Sequence, residues 1–525
     1  MDSGHTEILI AGLLLAVAAL VTLARVLNVP YPVFLVLGGL AIGAVPGMPE
    51  IELEPDLVLL IFLPPLLYGA AFFASLRDLR RNVAPISALS VGLVLATCGA
   101  VAVVVHTVVP GMSWAAAFVL GAIVSPTDPV AATAIASRLG LPRRVVVVVE
   151  GESLINDATA ITAYRVALGA VTAGTFSAWD AGGRFLLAAA GGVVIGLAVG
   201  WVVAAIRARL DDAPVEITIS LLTSYLAYLP AEELGLSGVV AAVTVGLYMG
   251  SQTSRLTSAT LRMQTVPVWQ ILIFLLNSFL FVLIGLQLPG ILDELRDADF
   301  DVSTVIGYGL LASLAVVLVR IGWVFALSGM LRLRGTRLNQ RNVALVAWMG
   351  MRGAVSLAAA LALPATTDAG TPFRERPLIL FITFVVILVT LVLQGLSLPF
   401  VIRALGVEPD DGEEVEENKA RKVAARAALD QLDRLAEEEW SREDTIERMR
   451  GQYRYRYNRF AARFDEQADG DAIESRTSDY LRLVASVLEA QRAALDDLRS
   501  EGVISDDVRR RVERELDLEE GRLLS

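Results

Sequence analysis

Residues 145–159 read VVVVVEGESLINDAT. Five valines open a stretch that stays apolar to about residue 170, yet Glu150, Glu152 and Asp157 interrupt it. At ~1.5 Å per residue, Asp157 lies ~18 Å along the helix axis, near the middle of a ~30 Å hydrocarbon layer. An ionisable residue there is costly, so by default it marks an ion pathway, a proton relay or a structural ion pair. Counted by helical turns, Glu150, Ser153 and Asp157 share one face and Glu152 points elsewhere. Asp157, an apolar-set carboxylate with a hydroxyl and an amide beside it, is suited to hold a proton or a cation in turn. Glu152 reads instead as a buried acid paired with an arginine.

The rest of the chain supplies the membrane. Of 525 residues, 55% are hydrophobic and only 19% charged, against ~25% charged in an average soluble domain; the mean hydropathy is +0.60. One cysteine, Cys98, and two histidines, His5 and His106, argue against a disulfide framework, a zinc, haem or iron–sulfur centre, and a histidine-based triad; no cofactor is expected. Thirteen apolar segments are long enough to cross with some tilt: 8–27, 31–47, 57–74, 84–108, 114–137, 145–170, 185–206, 215–232, 236–250, 266–289, 303–330, 343–366 and 377–403. If the amino terminus is outside, the inner loops receive fifteen arginines and the outer loops four, a strong positive-inside bias. The expected location is a cell membrane, with the carboxyl-terminal tail in the cytoplasm.

Charge divides the chain near Gly406. Residues 1–406 carry 24 acidic and 23 basic side chains; residues 407–525 carry 32 and 21. The acidic tail argues against nucleic acid. Apolar stripes such as Leu429, Leu432 and Leu435, or Leu488, Leu495 and Leu498, make it a helical module. Gly470 and Gly502 punctuate it, and Ser505-Asp-Asp507 looks like a helix start. It carries no catalytic motif, and a packing or regulatory role is expected.

Two further stretches disturb helices inside the membrane. In Ser125-Pro-Thr-Asp-Pro-Val130, Pro126 and Pro129 deprive the carbonyls of Ala122 and Ser125 of their helical donors. Bare carbonyls beside Asp128 could coordinate a small hard cation at a broken helix. In Gly350-Met-Arg-Gly353, two glycines flank Arg352 and weaken the helix. That arginine cannot shed its charge and should pair with a buried acid. The spacing of the two breaks, seven helices apart, suggests inverted repeats with two interrupted helices crossing at the centre.

Taken in order, SPTDPVAA, EGESLINDATAI, LNSFLFVLIGLQL and GMRGAVSLAAALALP resemble the monovalent cation:proton antiporter-1 family, the NhaP-type sodium/proton exchangers, over about residues 8–403. The resemblance implies an all-α membrane protein, with thirteen transmembrane helices in inverted repeats, a core domain and a dimerisation domain, hence a homodimer in the lipid bilayer. It implies that Asp157 binds ion and proton, with Asn156 as its neighbour. Thr127 and Asp128 would contribute from the broken helix, Ser153 would complete the Na+ site, and Glu152 would pair with Arg352. An Asn-Asp pair at Asn156 and Asp157 implies electroneutral exchange. Some relatives place a further carboxylate after the PPLL-aromatic run; here Pro64-Pro-Leu-Leu-Tyr-Gly69 is followed by Ala70.

The expected activity is therefore secondary antiport of Na+, with Li+ or K+ as alternatives, for H+ by alternating access; no enzyme activity is expected. No nucleotide-binding GxxxxGK[ST] run is present, so ion gradients would supply the energy. A cation channel would use similar broken helices but lacks a filter run such as TVGYG. An intramembrane aspartyl protease could use Asp128 and Asp157 as a dyad, but Asn156 stands where a glycine would flank the aspartate.

Overall fold

The computed structural model describes residues 3–27, 29–45, 55–130, 132–134, 140–173, 178–210, 212–256, 258–298, 300–333, 339–367, 370–407, 412–462 and 470–524. Three of the arginines assigned to inner loops, Arg138, Arg334 and Arg337, lie outside them. Two compact units emerge, Met1–Pro409 and Asp410–Ser525. Among the described residues the fold is helical, and the β contact found is one isolated bridge between Thr366 and Pro372.

The first unit begins with α1 (Ser3–Val26), α2 (Tyr31–Gly43), α3 (Pro55–Phe73) and the short α4 (Leu76–Arg81). Then come α5 (Val83–Ser87), a π-helical turn at Ala88–Leu93, α6 (Val94–Val108), α7 (Trp114–Val124) and α8 (Arg143–Ala173). Next are α9 (Ala178–Arg207), α10 (Ala213–Glu233), α11 (Gly238–Leu256), α12 (Ala259–Leu286) and α13 (Leu288–Asp297). The unit closes with α14 (Val302–Leu333), α15 (Gln340–Trp348), α16 (Ala354–Leu361), α17 (Arg376–Val389), a second π turn at Thr390–Gln394, and α18 (Gly395–Leu405). Ser113, Asp212 and Ser258 each accept a backbone N–H at the start of their helices, satisfying donors that a helix start leaves open. Gly406, at φ +57°, stops α18 in the left-handed conformation that glycine adopts without penalty.

Five helical runs among the described residues are long and apolar enough to cross a membrane: Val83–Val108, Gly182–Arg207, Leu261–Asp297, Val302–Leu333 and Arg376–Leu405. Four shorter helices are also apolar, Ala11–Val26, Tyr31–Gly43, Leu60–Phe73 and Trp114–Val124. α8 is long but polar in the middle, where its three carboxylates sit. Lipid tails offer no hydrophobic drive between helices, so close backbone approach does more of the work. Gly192 and Gly196 of α9 show it: a Cβ on either would come within 2.6 Å of a carbonyl oxygen on the α11 side, Ser237 O or Ala241 O.

The second unit contains α19 (Gly412–Leu435), α20 (Glu443–Ala462), α21 (Gly470–Ser500) and α22 (Asp506–Leu524). Arg450 reaches Asp433 at 2.7 Å between the first two, and Arg492 reaches Asp517 at 2.7 Å between the last two. Leu432 and Leu488 are buried on their apolar stripes.

Candidate functional site

Both disturbed stretches are breaks. α7 ends at Val124, and the chain runs non-helically through Ser125–Asp128. α15 ends at Trp348, and Met349–Gly353 are likewise non-helical before α16 begins. The two breaks touch. The Asp128 N–H donates to Met351 O at 2.8 Å, and Arg352 Nε donates to Val124 O at 3.0 Å. Gly353 is required here, because a Cβ would stand 1.8 Å from Asp128 Oδ2.

Asp128 serves two helix starts at once. Its Oδ1 accepts the Val130 N–H at 2.8 Å, and its carboxylate also accepts the Ala354 N–H at the head of α16. A negative side chain at the positive ends of two helices is stabilised by both. Of the two carbonyls expected to be bare, that of Ala122 is occupied, accepting Ser125 Oγ at 2.8 Å. Thr127 O, in the same break, accepts Asn156 Nδ2 at 3.2 Å.

Behind the first break lies a buried ionic network, and it corrects the expected partner of Glu152. The partner is Arg320 of α14: Nη1 meets Oε1 at 2.6 Å and Nη2 meets Oε2 at 3.0 Å. Such a two-pronged pair is the favourable geometry for a buried carboxylate. Arg320 also donates from Nε and Nη2 to Val346 O at 3.2 and 3.0 Å. Arg352 makes no hydrogen bond to Glu152. Its Nε and Nη1 donate to backbone carbonyls, Val124 O and Gly350 O, and its own N–H donates to Thr390 Oγ1 at 3.2 Å. The carbonyls left open at a helix break serve as these acceptors, while the buried Nη2 has no partner among the described residues. Glu152 Oε1 further accepts Thr127 Oγ1 at 3.0 Å, and that hydroxyl accepts Asn156 Nδ2 at 2.9 Å.

The opposite side of α8 faces a cavity of about 700 Å³. Thr127, Asp128, Glu150, Ser153 and Asp157 all line it. Asn156 does not; it is fully buried and reaches the cavity only through Thr127. Asp157 is 7% exposed, and neither its carboxylate nor the Ser153 hydroxyl has a hydrogen-bond partner among the described residues. Their oxygens open to the cavity, where water, a proton or an ion can meet them. Tyr31, Thr133, Gln270, Asn277 and Ser356 complete the polar lining, and the sequence reading assigned none of them a role. Asn277 lay inside the quoted LNSFLFVLIGLQL run, which was the available signal. Gly69 and Ala70 also face the cavity, so the wall formed by α3 offers no carboxylate.

Arg165 of α8 pairs with Glu232 at 2.7 Å. Arg207, one residue past the 185–206 segment, and Glu216 form a second buried pair at 3.4 Å.

The sodium/hydrogen exchanger transmembrane family matches residues 12–404. A protein named as an uncharacterized Na(+)/H(+) exchanger of Mycobacterium tuberculosis is 37% identical over 98% of this chain and 96% of its own length. A sodium, potassium, lithium and rubidium/H(+) antiporter of Bacillus pumilus is 34% identical over 75% of this chain and 61% of its own. Among solved structures, the sodium proton antiporter MjNhaP1 of Methanocaldococcus jannaschii superposes with a TM-score of 0.60 at 24% identity, over 77% of this chain and 100% of that one. The last likeness speaks to fold. The chain belongs to the sodium/hydrogen exchanger family, a family of membrane transporters and not of enzymes.

Proposed function

We propose, with family membership as the premise, that this protein exchanges a monovalent cation for a proton across a cell membrane. Na+ is the first candidate cation, and the wider range named for the Bacillus relative makes Li+ and K+ the alternatives to test. The observation that carries this reading is the unsatisfied Asp157 carboxylate, buried at the middle of α8 and open to the cavity beside Ser153. A proton neutralises such a group; so does a cation that also takes oxygens from Ser153, Thr127 and Asp128. The two compete for it, because protonation removes the charge and the lone pair with which the Asp157 carboxylate would hold the cation. The empty, ionised site is equally reluctant to cross, so each passage is loaded and antiport results.

In this reading the chain crosses thirteen times as inverted repeats, with its amino terminus outside, its tail in the cytoplasm, and a core that moves against a dimerisation domain in a homodimer. Asp157 is the exchanging group, and one carboxylate alternating between one cation and one proton makes the cycle electroneutral. Asp128 holds the two helix starts together and lends its remaining lone pairs to the cation. The Asp410–Ser525 unit is regulatory.

Proton movement into proteoliposomes, driven in turn by Na+, Li+ and K+ and repeated at clamped voltages, tests the function. Cation-dependent proton flux that ignores voltage is expected. Cation flux without proton movement would instead make the protein a channel, and voltage-driven exchange would overturn the one-for-one stoichiometry. Truncation after Val407 should preserve exchange while moving its pH profile.

A further inference from the structure

A second cavity, of about 240 Å³, lies away from the exchange site. It opens where the end of α4, the start of α8, the end of α14 and the start of α15 converge. Its polar lining consists of Arg81, Asn82, Arg144, Ser328, Asn339 and Asn342, and no carboxylate contributes. Arg81 and Arg144 are exposed and have no ion-pair partner among the described residues, although nearby Arg143 is paired with Asp78 at 2.9 Å. The half-buried Asn342 amide likewise has no partner there. The positive ends of α8 and α15 meet the negative ends of α4 and α14 here, so the net positive charge of the cavity is that of the two arginines. Deeper in, the wall turns to hydrocarbon: Leu89, Val148, Leu327 and Val346.

We propose that this cavity binds the phosphate headgroup of an anionic membrane lipid, with Arg81 and Arg144 on the phosphate and the acyl attachment lying along the apolar wall. A free phosphate would use only the arginines. The apolar wall, in a fold embedded in lipid, favours the lipid as the source. Basic pockets between membrane helices are where such headgroups settle. The bound lipid ties the end of α4 to the first turn of α8, the helix that carries Asp157. The inference concerns binding alone and stands apart from the exchange reading, so its test reads lipid occupancy and not transport.

The full-length protein in neutral detergent is titrated with phosphatidylglycerol, phosphatidylcholine or inorganic phosphate, and bound lipid is counted by native mass spectrometry. Phosphatidylglycerol should remain bound where phosphatidylcholine does not, and excess inorganic phosphate should leave it in place. Arg81→Gln and Arg144→Gln should each weaken it roughly fivefold. Leu331→Trp, which fills the cavity and keeps both arginines, should remove it. The control pair Arg77→Gln and Arg80→Gln should retain it. Equal retention in Arg81→Gln, Arg144→Gln and Leu331→Trp, equal loss in the control pair, or displacement by inorganic phosphate would each overturn the proposal. Because Arg81 and Arg144 are exposed and unpaired, their single variants should fold as the parent does.

Discussion

Glu152 and Asp157 stand five residues apart on one helix, both buried and both acidic, yet their surroundings are opposed. Glu152 has every oxygen occupied, by Arg320 and Thr127. Asp157 has none occupied among the described residues and faces a cavity. A buried charge with a full set of partners is fixed in place; one without partners must find a proton or an ion. α8 therefore divides into a face that holds the break at Thr127 and a face open to the cavity, the one we propose for exchange. The difference lies in what the neighbouring helices present, since the residues themselves are nearly alike.

Substitutions can break that division, and the largest effect should come from Asp157→Asn, which should reduce cation-driven proton flux in proteoliposomes to background while folded yield is kept. Retained flux would move the exchanging role elsewhere. Arg320→Ala leaves Glu152 buried and unpaired, at a cost of about 3–5 kcal/mol. It should appear as a large loss of thermal stability, which a second change, Glu152→Gln, should partly restore. Gly353→Ala drives a Cβ into the Asp128 carboxylate, at a cost of about 1–3 kcal/mol for the forced shift. Thermal melting together with a raised cation KM would register it. Ser153→Ala removes one neutral oxygen from the exchange face. It should raise cation KM roughly fivefold, equivalent to about 1 kcal/mol, with kcat little changed.

The smallest effect belongs to a carboxylate on neither face. Asp301 precedes α14 and accepts from Ser303 and Thr304, which holds it down at about 2 against an ordinary 3.8. A group lowered on folding contributes stability above its unfolded value and loses it as pH falls through the folded one. The melting-temperature gap between the parent and Asp301→Asn should therefore be constant above pH 4 and narrow between pH 4 and 2.

One face of this helix was legible in the sequence and the other was not. Helical spacing alone puts Glu150, Ser153 and Asp157 together, and all three line the cavity. The proline pair and the glycine pair mark the breaks because their backbone chemistry acts locally. Which arginine would meet Glu152 could not be read this way. Arg320 sits 168 residues away in the middle of an otherwise uninterrupted apolar helix, where no local signal prefers it to Arg352. Tyr31, Gln270 and Asn277 were missed for the same reason: a polar residue on a membrane helix shows its cost but not its direction.

The two breaks are joined by the Asp128–Met351 backbone bond, by Arg352 on Val124 O, and by one carboxylate shared between Val130 and Ala354. These links act as a rivet through crossed beams. Pulling the beams apart would strand several donors and acceptors in hydrocarbon simultaneously, so in the proposed cycle a stroke that carries Asp157 moves both together as one solid cargo block.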